Sequence, residues 1–217
     1  MDVRMFTVGP VAENTYVFRA DEGDAALIVD PGDEAERILG AVEELGVKVE
    51  GILLTHTHFD HVGALAPVAK ATGAPVWCPE IEAEVIADIN SYVPWPGFGP
   101  FEDYEADHLL NGGERLELAG FEIDVIHTPG HSPGHVTFSI PAEAAVFSGD
   151  VLFQGSIGRV DLPGGDPTGR TLMESIGKLI DTHPAETRVY PGHMGQTTLG
   201  AELETNPFLR ALAGNKP

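Results

Sequence analysis

The segment GILLTHTHFDHVG, residues 51–63, places three histidines and an aspartate within six positions, directly after an apolar run. These residues are His56, His58, Asp60 and His61. Imidazole and carboxylate groups are costly to bury together unless each finds a polar partner, so packing alone does not favour such a cluster. The same groups are good ligands for zinc, iron or manganese. The segment therefore indicates a metal site, and the remaining ligands should lie elsewhere in the chain.

Short apolar runs, separated by many glycines and prolines, predict a chain of short strands with helices between them. The first helix should begin after Asp33, which can cap it, and end before Gly46. The predicted strands are 3–8, 15–20, 25–29, 51–55, 74–78, 115–118, 121–127, 134–140, 144–149 and 187–190. The predicted helices are 33–45, 62–72, 80–90, 168–182 and 199–213. This mixture indicates an α/β fold.

Two parts of the chain resemble each other in outline. Each has a strand that runs into histidines (LLTHTH, VIHTPGH) and a strand that ends in aspartate (LIVDPG, VFSGD). Asp30, His56, Asp150 and His193 all lie at or just past strand ends, where layered α/β proteins bind their ligands. We therefore expect two β-rich halves that face each other, with the site along one edge. No linker separates them, so a single domain over residues 1–217 is expected.

Three further candidate ligands lie in the second half of the chain. His131 lies in TPGHSPGH, Asp150 in FSGDVLF and His193 in VYPGHMG. Irregular loops on a rigid scaffold commonly carry binding residues. A single histidine is more often structural than a ligand, so the argument depends on the whole set. Four candidates from one loop, together with these three, are enough to surround two metal positions.

The motifs THTHFDH at 55–61, PGH at 129–131, SGD at 148–150 and PGH at 191–193 resemble the metallo-β-lactamase superfamily. Their order and spacing match over nearly the whole chain. The resemblance implies a four-layer αβ/βα sandwich, in which two mixed β-sheets are flanked by helices. It also implies a role for each candidate: His56, His58 and His131 hold one metal, Asp60, His61 and His193 hold the second, and Asp150 bridges both. His135 would orient a ligand from behind.

The ligand set indicates hydrolytic chemistry. Histidines and carboxylates without a thiolate favour zinc, with iron or manganese as alternatives. Two such ions, about 3.5–4 Å apart, can share a hydroxide, because metal binding lowers the pKa of water to about 7. That hydroxide would attack an acyl carbon while a metal stabilises the oxyanion. Asp60 and Asp150 are accordingly predicted to be catalytic as well as metal-binding.

The segments GSIGR and DLPGG, with TTLGAELETNPFL near the C-terminus, resemble the glyoxalase II (hydroxyacylglutathione hydrolase) family, in its short bacterial branch. This resemblance implies hydrolysis of a small acyl thioester. It also implies that Arg159 contacts the substrate, since a guanidinium can pair with a carboxylate. The alternative for Arg159 is a surface salt bridge. Asp161 stands where the family has a tyrosine.

Other activities fit the same motifs. A lactonase or β-lactamase would use the same two-metal site on a cyclic substrate. A mononuclear iron persulfide dioxygenase is a further alternative, but it should lack a complete second set of ligands. A metal-binding module without enzymatic activity is the least favoured, because seven candidate ligands occur in the expected order.

The overall charge limits the partners. The chain carries 34 acidic and 12 basic residues, a net charge of −22, which argues against nucleic acid or an anionic membrane surface as a partner. Its one cysteine, Cys78, excludes an internal disulfide. No apolar run is long enough to span a bilayer, and the N-terminus lacks the layout of a signal peptide, so a cytoplasmic location is expected. Monomer and homodimer both remain open.

Residues 91–107, SYVPWPGFGPFEDYEAD, combine aromatic residues with proline and glycine and show no helix or strand period. This segment is expected to be a surface loop, a wall or lid over the metal cleft, or a subunit contact. The histidines outside the motifs, His108, His127 and His183, are expected to be structural.

Overall fold

A first sheet of six strands forms one half of the computed structural model, which describes residues 1–210. Its strands follow one another in space as in sequence: β1 (Asp2–Val8), β2 (Glu13–Arg19), β3 (Ala25–Val29), β4 (Lys48–Leu53), β5 (Val76–Pro79) and β6 (His108–Leu110). The pairs β1–β2 and β2–β3 are antiparallel, whereas β3, β4, β5 and β6 pair in parallel. The sheet is therefore mixed.

The second half of the described chain contains eight strands, six of which form another mixed sheet. Its eight strands are β7 (Arg115–Leu118), β8 (Phe121–His127), β9 (Val136–Ile140), β10 (Ala145–Gly149), β11 (Leu152–Phe153), β12 (Ser156–Ile157), β13 (Arg188–Pro191) and β14 (Thr197–Thr198). Six of them make a sheet in the order β14-β13-β10-β9-β8-β7, in which β10 and β13 are parallel. Strands β11 and β12 form a separate small hairpin next to the site.

Six α-helices accompany the sheets in residues 1–210. They are α1 (Ala35–Leu45), α2 (Phe59–Val62), α3 (Leu65–Thr72), α4 (Ala83–Ala87), α5 (Arg170–Thr182) and α6 (Leu199–Thr205). Helix α1 ends at Gly46 as predicted, in the left-handed conformation that glycine adopts easily. Asp33 is not its cap: the residue before the helix is Glu34, which makes no side-chain capping bond.

The predicted helix 80–90 is broken into α4 and two short 3₁₀ turns. Glu80, Glu84 and Asp88 repeat at four-residue spacing, and like charges at this spacing destabilise a helix. The backbone N–H of Ile89 donates to Asp103 instead of continuing the helix. The predicted helix 199–213 ends at Thr205, and its last three residues lie outside the described range.

The layers follow from the alternation of side chains along the strands. On β2, Tyr16 and Phe18 point to the second sheet, whereas Val17 points outward to the helices α1 and α3. Phe147 of β10 closes the contact between the sheets, with ring centroids 4.6 Å from Phe18 and 5.3 Å from Tyr16. Helix α5 and Leu199 of α6 cover the outer face of the second sheet. This arrangement confirms the four-layer sandwich of two mixed sheets flanked by helices.

The single-domain organisation stays a prediction. Within residues 1–210, no helix has the length and apolar character needed to cross a membrane.

Candidate metal centre

The candidate ligands follow strands of both sheets at one shared edge. Asp30 follows β3, His56 follows β4, Asp150 follows β10 and His193 follows β13. Backbone hydrogen bonds join the two sheets here, from Val136 N to the carbonyl of Thr55 (2.8 Å) and from Asn14 N to that of Gly192 (2.7 Å). The edge therefore holds loops from the two halves at fixed distances.

His56, His58 and His131 form the first group of donors. One ring nitrogen of each lies within 4.8 Å of the others. His58 Nδ1 is 2.8 Å from His131 Nε2. His56 is fully buried, and its Nε2 has no hydrogen-bond partner among residues 1–210. These are the three histidines predicted for the first metal.

Asp60, His61 and His193 form the second group, again with donor atoms within 4.8 Å of one another. Asp60 Oδ2 lies 3.3 Å from His193 Nε2 and 3.8 Å from His61 Nε2. Asp60 and His61 are presented by α2, the single helical turn that follows the histidine loop. The structure thus brings together the three residues predicted for the second metal.

Asp150 lies between the two groups. Its Oδ1 is 3.4 Å from His61 Nε2, and its Oδ2 is 3.4 Å from His131 Nε2 and 3.6 Å from His193 Nε2. The carboxylate therefore faces both groups, as predicted for a bridge.

Buried polar atoms without partners show that the site fits metal ions. His56 Nε2, His61 Nε2 and Asp150 Oδ1 are buried and have no hydrogen-bond partner within the described chain, although the last two lie 3.4 Å apart. A buried polar atom without a partner costs about 1–3 kcal/mol, and three such atoms at one point are hard to explain by packing. Ions held by the two groups would satisfy all three. The roles of the seven residues as ligands stay predictions, which this geometry supports.

The opposite ring nitrogens of four histidines are already held by the protein. Metal-binding histidines commonly donate this second N–H to an oxygen, which orients the ring and leaves the other nitrogen free. Here Nδ1 of His56 lies 3.0 Å from Thr55 Oγ1, that of His61 3.0 Å from Asp30 Oδ2, that of His131 2.6 Å from the Arg159 carbonyl, and that of His193 3.2 Å from the Ala12 carbonyl.

Asp30 is a supporting residue that the sequence only partly revealed. Its carboxylate accepts hydrogen bonds from Thr55 N (2.7 Å), Thr55 Oγ1 (2.6 Å) and His61 Nδ1 (3.0 Å). Because the Thr55 hydroxyl donates to Asp30, it can accept from His56 Nδ1. The position of Asp30 at a strand end was visible in the sequence, but its partners were not.

Glu82 is a second supporting residue, and the sequence gave no signal of it. Its Oε2 accepts from Thr57 N at 2.9 Å, between His56 and His58. Its Oε1 accepts from Ser132 Oγ at 2.5 Å and from Gly134 N at 2.7 Å, just after His131. One buried carboxylate thus connects the two loops that carry the first group of donors.

His135 lies directly behind the centre. Its Nε2 accepts from the backbone N–H of Asp150 at 3.0 Å, and its Nδ1 is 3.1 Å from Thr128 Oγ1. Its ring also stacks on His56, with centroids 4.9 Å apart. The predicted orienting role stays a prediction, and the contact with Asp150 supports it.

Burial and neighbouring charges together shift the pKa values of the donors. Burial lowers the pKa of His56 well below its ordinary value and, with His131 adjacent, lowers the pKa of His58 to about 4. Both rings are therefore neutral at pH 7, the form in which imidazole binds metal. Burial would raise the pKa of Asp150, but His61 and His131 outweigh it, so the pKa falls and the carboxylate is ionised.

A cleft of about 900 Å³ opens over the two groups of donors. Its lining includes His58, Asp60 and Asp150 from the centre and Tyr92 and Trp95 from segment 91–107. The structure therefore places part of this segment as a wall of the cleft.

Arg159 also lines the cleft, but its side chain is 59% exposed and already paired. Its Nε donates to Asp161 Oδ1 (2.9 Å) and its Nη2 to Asp161 Oδ2 (2.8 Å). This geometry matches the salt-bridge alternative. The backbone of Arg159 has a function that the sequence did not reveal, because its carbonyl holds His131 Nδ1. Substrate binding by Arg159 stays a prediction.

Comparison with known proteins gives consistent matches. A family model described as "Metallo-beta-lactamase superfamily" matches residues 8–193. The chain is 39% identical to "Probable metallo-hydrolase YqgX" of Bacillus subtilis (strain 168), over 98% of this chain and all of the relative. It is 36% identical to "Hydroxyacylglutathione hydrolase GloC" of Haemophilus influenzae, over 97% of this chain and 99% of the relative.

Two solved structures are similar over almost their whole length. The structure described as "BLEG-1 B3 metallo-beta-lactamase" is 41% identical, with a TM-score of 0.89, over 96% of this chain and 99% of that one. "TTHA1623 in a di-iron-bound form" is 43% identical, with a TM-score of 0.82, over 95% of this chain and 100% of that one.

Proposed function

Because this chain belongs to the metallo-β-lactamase superfamily, we propose that it is a dinuclear metallohydrolase that cleaves small acyl thioesters. The observation that carries the proposal is the convergence of two groups of three donors on one carboxylate, Asp150, which faces both. A single-metal enzyme would need only one of these groups. The cofactor proposed is a pair of divalent ions, with zinc favoured and iron or manganese as alternatives.

The donor groups assign the ligands in this proposal. His56, His58 and His131 would hold one ion, Asp60, His61 and His193 the other, and Asp150 would contact both. Bound divalent ions lower the pKa of water to about 7 and polarise a carbonyl group.

The protein contributes positioning and proton acceptance. Asp60 and Asp150 both line the cleft, so their carboxylates face the substrate. Asp60 Oδ2 lies toward His193, and we assign this carboxylate the role of accepting a proton from the attacking water. The oxygen of that water becomes part of the carboxylic acid product, the carbon–sulfur bond breaks, and the sulfur leaves as thiolate.

Thioesters are favoured over other acyl compounds for two reasons. A thiol has a pKa of about 8.5, so a thiolate can leave without a general acid. The similar protein from H. influenzae also carries the name hydroxyacylglutathione hydrolase. We also propose that the partner of the protein is a small-molecule substrate rather than nucleic acid or a membrane. The protein itself would be a monomer or a homodimer.

The test is to measure metal content together with thioester hydrolysis after purification with zinc, iron or manganese. We expect about two ions per chain, and loss of turnover in His61→Ala but not in His108→Ala, a histidine outside both donor groups. Full thioester hydrolysis at one ion per chain under saturating metal would contradict the dinuclear proposal, whereas one iron per chain without thioester hydrolysis would favour the mononuclear iron dioxygenase.

A second candidate is a β-lactamase or lactonase that uses the same site. It is favoured by the 41% identity and TM-score of 0.89 to a structure described as a B3 metallo-beta-lactamase. The same preparation should be assayed on a β-lactam, a lactone and a thioester. Higher kcat/KM for a cyclic substrate would select this candidate.

A further inference from the structure

Exposed apolar side chains are concentrated at the cleft. Seven large hydrophobic residues of the described chain are more than a third exposed. Four of them line the cleft: Ile81 (58% exposed), Tyr92 (48%), Trp95 (39%) and Met194 (53%). Single exposed apolar residues are ordinary, but a cluster in one concave site is typical of a binding surface.

The apolar wall is continuous with the metal centre. Phe59 lies between His58 and Asp60 in sequence and lines the same cleft. Its ring meets Phe98 at 4.8 Å and Trp95 at 5.9 Å between centroids. An apolar group attached to the reacting acyl compound would therefore reach this wall without leaving the cleft.

Apart from the ions of the proposed metal centre, the side chains that line the cleft offer little positive charge to an anionic thiol carrier. Among its described lining residues, Arg159 is the single lysine or arginine, and the Nε–Nη2 edge of its guanidinium is paired with Asp161. Glu82 and Glu84 add negative charge to the same lining. An anionic thiol carrier would share Arg159 with the carboxylate of Asp161 and would meet the carboxylates of Glu82 and Glu84.

We propose that the cleft selects thioesters whose acyl or thiol group is uncharged and apolar, in preference to thioesters of anionic thiols such as glutathione. The inference rests on the proposed function for the thioester, whereas the choice of an apolar group rests on the lining of the cleft. Its volume of about 900 Å³ is enough for a substrate of drug-like size.

The first test compares kcat/KM within two substrate pairs, each corrected for its rate of uncatalysed hydrolysis. One pair varies the acyl group, hexanoyl against acetyl, on N-acetylcysteamine. The other varies the thiol, hexanethiol against glutathione, with a constant acetyl group. One buried methylene is worth about a fourfold gain, so at least about a tenfold preference for the apolar member is expected in one pair. The pair that shows it identifies which side of the substrate lies on the wall.

Variants then connect the preference with the wall. In the pair that shows the preference, Trp95→Ala should lower the ratio of kcat/KM for the apolar substrate to kcat/KM for the small or anionic substrate by about tenfold. The matched control is Leu109→Ala, because Leu109 is also a large exposed hydrophobic residue but does not line the cleft. It should keep the wild-type ratio. Preference for the glutathione thioester, or an unchanged ratio in Trp95→Ala, would overturn the inference and leave thioester hydrolysis standing.

A binding measurement separates this inference from the proposed function. Ketone analogues, in which a methylene replaces the thioester sulfur, resist hydrolysis and can be titrated by calorimetry. The apolar analogue should bind at least about tenfold more tightly than the glutathione analogue, even if no thioester is turned over. Tighter binding of the glutathione analogue would refute the inference. So would conversion of a dimer to a monomer by Trp95→Ala with no change in selectivity, because the wall would then be a subunit interface.

Discussion

Glu82→Gln tests whether one carboxylate holds the two loops of the first donor group together. Both carboxylate oxygens of Glu82 face a backbone N–H, that of Thr57 on one side and that of Gly134 on the other. Glutamine has the same shape, but one end of its amide is a donor. In either orientation this NH₂ group must therefore face a backbone N–H that can only donate.

The magnitude follows from this mismatch. Ser132 and Thr57 can rotate their hydroxyls to accept from the new amide, but the backbone N–H groups cannot. One buried backbone donor is left unpaired, which costs about 1–3 kcal/mol. Water does little to reduce this free-energy cost by hydrogen bonding to the unpaired N–H, because Glu82 is only 5% exposed. For a chain of this size, about 2 kcal/mol corresponds to a fall in Tm of about 4–8 °C.

The measurement is thermal and denaturant unfolding of the metal-free protein, with Glu84→Gln as the control. Glu84 is two positions away, exposed, and also lines the cleft. Mutation of a residue that holds a metal ligand in place commonly lowers metal affinity by about 10–100-fold. The first ion should therefore also bind at least about tenfold more weakly in Glu82→Gln. Glu82→Gln with wild-type Tm and wild-type affinity for both ions would refute the reasoning.

Four further predictions concern single positions. A Cβ at Gly32 would overlap the Asp60 carbonyl, so Gly32→Ala should lose second-ion affinity in metal titrations. Gly40 has free space around it in helix α1, so Gly40→Ala should raise the free energy of unfolding by about 0.5–1 kcal/mol. Unchanged second-ion affinity in Gly32→Ala, together with a lower free energy of unfolding in Gly40→Ala, would contradict the packing. Asp150→Ala should lose most turnover and bind fewer than two ions, and a near-normal rate at limiting metal would remove its bridging role. Arg159→Ala should change KM for a glutathione thioester less than about threefold, because an exposed ion pair contributes little; a tenfold rise would restore it as a substrate ligand. Cys78 is buried, and burial raises its pKa, so a thiol reagent should modify it only after denaturation.

The donor set was predictable because most of it depends on local sequence. Two histidines two positions apart after a strand, followed by Asp60 and His61 at a helical turn, remain close in almost any fold. The candidates from the second half needed the motif order as well, since His131 and His193 approach His58 and Asp60 only in the folded chain. Strands 115–118 and 121–127 were predicted with the observed bounds, because their apolar alternation is regular.

The supporting contacts were not predictable, because they depend on tertiary structure rather than on a local pattern. Glu82 meets Ser132 across 50 residues, and Asp30 meets His61 across 31. The helix predicted for 80–90 failed for a related reason. Its N-terminal part places Glu82 against the two ligand loops, and Asp103 takes the N–H that would have continued it. Contacts that form only in the folded chain, together with the like charges of the segment, therefore set where this helix ends.

The division of the ligands between the sheets also links metal binding to stability. The loop after β4 of the first sheet supplies His56, His58, Asp60 and His61, and the second sheet supplies the remaining donors, His131, Asp150 and His193. Ions held by both sets would join the two sheets at the edge where the cleft opens. A ligand that binds only the folded state stabilises it by about 4 kcal/mol at a thousandfold excess over its Kd. His56 Nε2, His61 Nε2 and Asp150 Oδ1 have no hydrogen-bond partner within the described residues, so we expect the metal-free chain to be less stable than the chain with metal bound.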